Sequence, residues 1–385
     1  MSVCKEATDG GSDALRVLFV NRMACLERGG GETFDLEISR CLAGKGVRVS
    51  YLSGAPLLGA PPSPLEGAAV LHTPWLKRFP WDKVKGGWRL RQAEFEWFEW
   101  RAARWIAQRA GQWDVIQICE LPDLVLHLKK AGVKAPLVMR LTAPNYYDPR
   151  GGVKLADALM ASGTSIERMR ERGLTGVEDI PNAVDPERFR PQESGFRAEM
   201  GIGAGEFVGV YAARFQGFKN HEMLLNAFAL FHKGHPDSRL VLAGSGPLRE
   251  RCEAQVAALG LEGRVLFLGE VPYDRLPAVY AAADVALVAS DYESFCFAAL
   301  EGMSSGLPVL TTDCGWVPRL IADGAGLVTP VGDAAGFAGG LARLADHAAL
   351  RDRMGATGRH LVLERHTWAA SAEKLLGVYR RLLGR

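Results

Sequence analysis

Two glutamates eight residues apart, Glu293 and Glu301, stand in the segment DYESFCFAALEGMSSGLPVL (291–310). It follows DVALVAS (284–290), an apolar run of the kind that forms a strand buried on both faces. Ser294 is placed to cap a helix running from Phe295 to Ser304. The backbone N–H groups of Phe295, Cys296 and Phe297 would then point out of the positive helix end, which attracts anions. Two carboxylates around a helix start could serve one elongated ligand, one near its reacting end and one on a ribose-like diol. A helix with a solvated Glu at each end fits the same residues.

Cations come next. In VYAARFQGFKNHEMLLNAF (210–228) a strand ends, a short loop carries Arg214 and Lys219, and a helix begins near Asn220. A planar guanidinium fork and a point charge at the carboxyl end of a strand suit a diphosphate; ordinary surface charge is the alternative. In CLERGGGETFDLEISRCLAGKG (25–46), Gly29, Gly30 and Gly31 let backbone approach a ligand ahead of a helix. The pattern is not GxGxxG, and a flexible turn fits it equally. LAGSGP, with Gly244, and LFLGEVP, with Val271, end two further strands where a nucleotide base could sit, or are plain turns.

These segments need elements to hold them. Val-, Ile- and Leu-rich runs recur at 15–20, 47–52, 113–118, 136–141, 207–213, 239–244, 264–269, 284–290 and 307–312, with helical patterns between many of them. Alternating buried strands and helices imply parallel sheets wound by βαβ units. The strands are too many for one doubly wound sheet. Charge, Pro and Gly cluster in DPERFRPQESG (185–195), so the chain reads as an α/β protein with two Rossmann-like domains. The expected divisions are a disordered terminus at 1–14, an N-terminal domain at 15–188 and a C-terminal domain at 189–367. A periodic amphipathic helix at 368–385 closes the chain. Sheets facing one another would leave a cleft at the carboxyl ends of their strands, where such folds bind ligands.

Composition excludes several classes. The 385 residues carry 46 Lys+Arg against 44 Asp+Glu, a net charge of +2, too balanced for a protein that coats nucleic acid. At 48% hydrophobic and 23% charged, the chain is neither disordered nor fibrous. Its seven cysteines are scattered without a CxxC pair, which points to free thiols in a reducing compartment and to no zinc site. No run of about 18 apolar residues occurs, and the first residues lack a signal core. The expectation is a cytoplasmic protein, or one peripheral on the cytosolic face of a membrane.

Taken in order, these segments resemble the retaining GT-B glycosyltransferases of glycosyltransferase family 4, the glycosyl transferases group 1. Glu293 and Glu301 match the family's E-x7-E motif, and Arg214 and Lys219 match its Arg/Lys pair on the donor diphosphate. IPNAVDPERF (180–189) is similar to its interdomain P-N-G-V-D-x-x-x-F segment, and Gly29–Gly31 to its glycine loop. The resemblance implies a GT-B fold whose last helix crosses back onto the N-terminal domain. It implies a C-terminal half that binds a nucleoside diphosphate sugar as co-substrate, UDP-sugar before GDP-sugar. Glu301 would hold the ribose, backbone at Val271 the base, and Gly30, Gly31 and Gly244 would line the donor. Arg214, Lys219 and the amides from Ser294 to Phe297 would neutralise the leaving diphosphate, with Glu293 on the donor sugar. No metal or other cofactor is implied, because cations and a helix end supply the electrostatics. The anomeric configuration would be kept by a front-face mechanism.

The chain departs from that pattern at Cys296, Ala183 and Ala213, where many members have Gly. Where many members place a His after the strand at 136–141, this chain has Thr142. A pseudo-transferase that binds without turnover, or another GT-B chemistry such as epimerisation, is therefore the alternative to an active transferase. On the acceptor side the candidates are Thr142, which could donate to a sugar hydroxyl, Glu120, and His72, which could line the cleft; His127 reads as a packing or surface residue. The acceptor itself would be a glycan, a lipid-linked glycan or a small molecule.

Seven of the nine Trp fall between Trp75 and Trp113, and the stretch 77–109 holds nine basic and four acidic residues. Trp88, Phe95, Phe98, Ala102, Trp105 and Ile106 form a stripe at helical spacing, with Trp97, Trp100, Arg101 and Arg104 off it. A core helix with some exposed Trp, a surface for anionic lipid and an aromatic acceptor platform are all open readings.

Overall fold

The computed structural model describes residues 14–26, 29–58, 60–61, 64–73, 85–142 and 148–385. The expected disordered terminus (save residue 14), Trp75, Trp81 and the basic stretch 77–84 lie outside them. The chain divides into two compact units, 1–181 with 368–385, and 182–367. The division falls between Pro181 and Asn182, seven residues before the one expected from composition. Pro181 still belongs to the first unit because its carbonyl accepts from Ser371 Oγ at 2.8 Å on the last helix.

The first unit holds a seven-stranded parallel sheet in the order β3-β2-β1-β4-β5-β6-β7. Its strands are β1 (Arg16–Val20), β2 (Arg48–Pro56), β3 (Ala69–Thr73), β4 (Val115–Cys119), β5 (Leu137–Arg140), β6 (Ala158–Ala161) and β7 (Val177–Asp179). β2 runs on to Pro56, so Gly54 lies within the strand. Gly54 is confined there, since a Cβ would stand 2.8 Å from the Arg22 carbonyl oxygen. One core joins Leu18, Val20, Ile116, Ile118 and Met139 of the sheet to Phe98, Ala102 and Ile106 of the helix Gly87–Ala107. Trp88, expected on that buried stripe, is 61% exposed. It sits in the first helical turn, whereas the side chains that reach the core begin further along. The last helix, Trp368–Leu382, packs on the helix Gly30–Gly44, with the Trp368 ring edge-on to Phe34 at 5.6 Å.

The second unit holds a six-stranded parallel sheet in the order β10-β9-β8-β11-β12-β13. These strands are β8 (Phe207–Ala212), β9 (Ser238–Ala243), β10 (Val265–Gly269), β11 (Val285–Val288), β12 (Val309–Thr312) and β13 (Gly326–Thr329). Alternate residues feed opposite cores, as the two-residue period of a strand requires. Val208 and Val210 face one core with Ala299 and Leu300, while Tyr211 faces the other with Leu224 and Phe228. β8 and β11 are neighbours though far apart in sequence, with Val210 beside Ala286. Strand order reverses at that pair, as it does at β1 and β4 in the first unit. At such switch points the loops leave in opposite directions and open a crevice at the carboxyl ends.

Candidate active site

Because β8 and β11 are adjacent, the loop carrying Arg214 and Lys219 lies beside the loop carrying Glu293. The two are tied through backbone and side chains: Asp291 N–H donates to the Phe218 carbonyl at 2.8 Å, and Asn220 Nδ2 donates to Asp291 Oδ1 at 2.7 Å. Asn220 also caps the helix His221–His232, its Oδ1 accepting from Met223 N–H at 3.2 Å. Lys219 Nζ donates to Glu293 Oε1 at 2.5 Å, and Ser290 Oγ donates to the same oxygen at 2.6 Å. Tyr211 donates to the Lys219 carbonyl at 2.9 Å, with its oxygen 3.0 Å from Ser290 Oγ. One buried tyrosine therefore braces both loops. Arg214 is on the exposed side of this arrangement.

Behind the cationic loop, His221 stacks on Phe215 at 4.1 Å. Burial, then the charge of Lys219, lowers its pKa to about 4, so the imidazole is neutral. Gly244 serves the same loop: a Cβ there would stand 2.1 Å from the Ala213 carbonyl oxygen. Its bare backbone lets the Gly-rich turn cross under Ala213 and Arg214, a packing role the residue types alone did not reveal.

Glu301 is buried, and Tyr280 donates its hydroxyl to Glu301 Oε2 at 3.0 Å. Burial raises the Glu301 pKa to about 7. Val271 and Cys296 pack against the apolar cluster that contains Tyr280, Ala299 and Leu300. The helix bearing Glu301 spans Phe297–Ser304, two residues shorter at its start than expected, and Cys296 rather than Ser294 is its N-cap. Cys296 has φ 83°, in the region that favours glycine, and this bend delays the helix. Phe295 is buried with its ring edge-on to His366 at 5.7 Å, so its side chain belongs to the core. The first helical amides are accordingly those of Phe297, Ala298 and Ala299, not of 295–297. Ala183 and Ala213, the other two replacements of glycine, do not have positive φ and need none.

Sequence reasoning missed Ser290, Tyr211, Tyr280 and Gly315. A Cβ on Gly315, whose φ is 64°, would stand 2.0 Å from the Glu293 carbonyl oxygen, which accepts from Trp316 N–H at 3.1 Å. Ser290 ends the run DVALVAS, and its position at the strand's carboxyl end was the one available signal. The two tyrosines sit in apolar runs where nothing separates a functional hydroxyl from core packing.

In the first unit, Gly29 is the N-cap of the helix Gly30–Gly44, and its N–H donates to Glu32 Oε2 at 3.0 Å. Arg140 donates to the Gly31 carbonyl at 3.2 Å, and Thr142 Cγ2 and Cys119 Sγ lie 3.7 Å from where a Gly31 Cβ would stand. Gly31, Thr142 and Glu120 are thus brought together at the β1/β4 switch point. Thr142 N–H donates to Glu120 Oε1 at 2.7 Å, and the Thr142 hydroxyl donates to the same oxygen. Its one proton is therefore directed to Glu120 in this structure. His72 is not brought to this group. It lies on the edge strand β3, exposed, with Nδ1 2.7 Å from the Pro56 carbonyl oxygen. His127, on the helix Pro122–Lys130, is half-buried. Among the described residues, no three His, Cys, Asp or Glu side chains are grouped to hold a metal ion, and the six cysteines are free.

A fold of two parallel Rossmann-like units with ligand loops at their switch points is that of the GT-B glycosyltransferases, and the comparisons agree. Residues 193–361 match the family model of the glycosyl transferases group 1, so the second unit carries that domain. Sucrose-phosphate synthase from Thermosynechococcus elongatus superposes with a TM-score of 0.78 at 20% identity, over 96% of this chain and 99% of that one. HepE from Anabaena, solved in complex with UDP and glucose, gives 0.75 at 21% identity over 95% and 100%. In sequence, the chain is 34% identical over 218 residues to the D-inositol 3-phosphate glycosyltransferase of Nocardia farcinica, covering 54% of this chain and 48% of that protein. It is 29% identical over 237 residues to the alpha-D-kanosaminyltransferase of Streptomyces kanamyceticus, covering 60% and 61%. The chain spans about half the length of the curated relatives it matches.

Proposed function

We propose that the protein is a retaining glycosyltransferase that moves a sugar from a nucleoside diphosphate, UDP before GDP, to an acceptor hydroxyl. The observation that carries this is the joining of the Arg214/Lys219 loop to the Glu293 loop at one switch point. It gathers two cations and a carboxylate where a sugar diphosphate would react. In this reading Glu301 accepts from the ribose hydroxyls, and Val271 offers backbone to the base. Arg214, Lys219 and the first amides of the helix Phe297–Ser304 stabilise the leaving diphosphate without a metal. The acceptor oxygen bonds to the anomeric carbon on the face that the phosphate oxygen leaves, and the acceptor proton passes to the departing diphosphate. Glu293 orients the donor sugar. On the acceptor side, Glu120 and Thr142 act as one hydrogen-bonded pair. UDP is favoured because HepE, a fold neighbour, is solved with it. The acceptor is a glycan, a lipid-linked glycan or a small molecule, and six free thiols fit a reducing cytosol.

A thermal-shift panel with UDP, GDP, TDP, ADP and CMP, each with and without EDTA, tests the reading. A ligand at about 100 times its Kd adds about 2.7 kcal/mol of stability. One diphosphate that stabilises the protein equally with EDTA is expected. If none shifts the melting curve, or the shift needs a metal, the proposal fails.

A further inference from the structure

The helix Gly87–Ala107 has two faces of opposite design. Inward, Phe98, Ala102 and Ile106 enter the core of the first unit. Outward, Leu90, Ala93, Trp97, Trp100 and Arg104 are all exposed. Their spacing of three and four residues draws one straight stripe, about 21 Å long at 1.5 Å per residue. Trp97 is 36% and Trp100 46% exposed, large apolar areas to leave in water.

The charges divide the same way. Each acidic side chain of this helix is engaged elsewhere in the unit: Glu94 pairs with Arg22 at 3.3 Å, Glu96 with Arg150 at 3.1 Å, and Glu99 accepts from Leu124 N–H at 2.7 Å. Three of the helix's four basic side chains stay beside its own tryptophans: Arg89 lies over the Trp88 ring at 5.5 Å, Arg101 over the Trp97 ring at 4.6 Å and Arg104 over the Trp100 ring at 4.9 Å, with Arg101 also donating to the His72 carbonyl at 3.0 Å. Among the described residues of this helix, the outward stripe is therefore aromatic and cationic, and the helix's three carboxylates are engaged with Arg22, Arg150 and Leu124 N–H.

We propose that this face docks the protein onto the anionic headgroups of a lipid bilayer. Tryptophan rings settle at headgroup depth, and guanidinium forks match lipid phosphates, so one surface uses both. A second copy of the chain is a poor occupant, because self-pairing would set guanidinium against guanidinium. A stacked sugar is poor too, because Arg101 and Arg104 already cover ring faces of the two tryptophans. The site lies within the first unit and stands independently of the donor chemistry proposed above.

Co-sedimentation of the full chain with vesicles decides it, using phosphatidylcholine alone and phosphatidylcholine mixed with phosphatidylglycerol, at low and high salt. Binding to the mixed vesicles, weakened by salt and absent from pure phosphatidylcholine, is expected. The double variants Trp97→Ser/Trp100→Ser and Arg89→Gln/Arg104→Gln, altered only at exposed or half-exposed positions, should each lose roughly tenfold or more of that partitioning, at about a factor of five per basic residue near the surface. Their melting temperatures should match wild type. Equal binding to neutral vesicles, no binding to anionic ones, or undiminished binding by a folded variant overturns the proposal. So does a dimer that the tryptophan variant dissolves.

Discussion

Lys219 Nζ stands 2.5 Å from Glu293 Oε1, and these two residues, 74 positions apart in the chain, belong to loops leaving neighbouring strands. The pair joins the cation expected on a diphosphate to the carboxylate expected on a sugar. Ser290 donates to the same oxygen at 2.6 Å, so Glu293 has a second partner that does not depend on Lys219.

Arg214 and Lys219 should carry the leaving-group electrostatics. Loss of one preorganised donor to a developing anion costs about 2.7–4 kcal/mol. Arg214→Ala and Lys219→Met are each expected to lower turnover about a hundredfold or more in a donor-hydrolysis or transfer assay. A variant within about threefold of wild type would remove that residue from the mechanism.

Glu301 should make stability fall as pH rises. Its native pKa is about 7 against an ordinary 4.5, so the native state holds a proton that the unfolded chain has released. The stabilisation is complete below pH 4.5 and is lost as pH climbs through 7. Glu301→Gln, neutral throughout, should match wild type in acid and exceed it above pH 7 by on the order of 3 kcal/mol. Denaturant unfolding at several pH values checks this; parallel curves for the two proteins would refute it. Diphosphate binding should run the other way, tightening as the carboxylate ionises.

Tyr280 is expected to act through Glu301. Its hydroxyl donates to Glu301 Oε2 at 3.0 Å and favours the ionised carboxylate. Tyr280→Phe should weaken diphosphate binding about tenfold and move the pH midpoint of binding upward. Calorimetric titration across pH reads both. An unshifted midpoint would leave Tyr280 a core residue only.

Cys296 pays for its φ of 83° in backbone strain of about 1–3 kcal/mol. Cys296→Gly should therefore be more stable than Cys296→Ala by about 1 kcal/mol, since only glycine adopts that conformation freely. Thermal unfolding of the two variants makes the comparison, and equal melting temperatures would count against strain at this turn.

Much of the fold was legible in residue order. Continuous Val-, Ile- and Leu-rich runs of strand length, separated by helical patterns, read as strands covered on both faces, and β1, β4, β8, β9 and β11 lie where those runs fall. The short strands β6, β7 and β13 were not legible, because three or four residues leave no pattern that a loop does not share. The helix start at Phe297 was misjudged for a related reason: Ser294 is a good cap by type, but Cys296 turns the chain first.

The sequence by itself determined the chemical inventory: two glutamates, an Arg/Lys loop and a glycine turn, each in a segment that follows a buried strand. Spacing along the chain carries that much, because strand and helix periods are local. Only the tertiary structure decided that β8 lies against β11, that Tyr211 and Ser290 brace Lys219 and Glu293, and that Thr142 spends its proton on Glu120. It also decided that the carboxylates around Trp97 and Trp100 are engaged away from them. Strand order and burial come from contacts between residues far apart in the chain, and hydroxyl and carboxylate partners are fixed only once those contacts form.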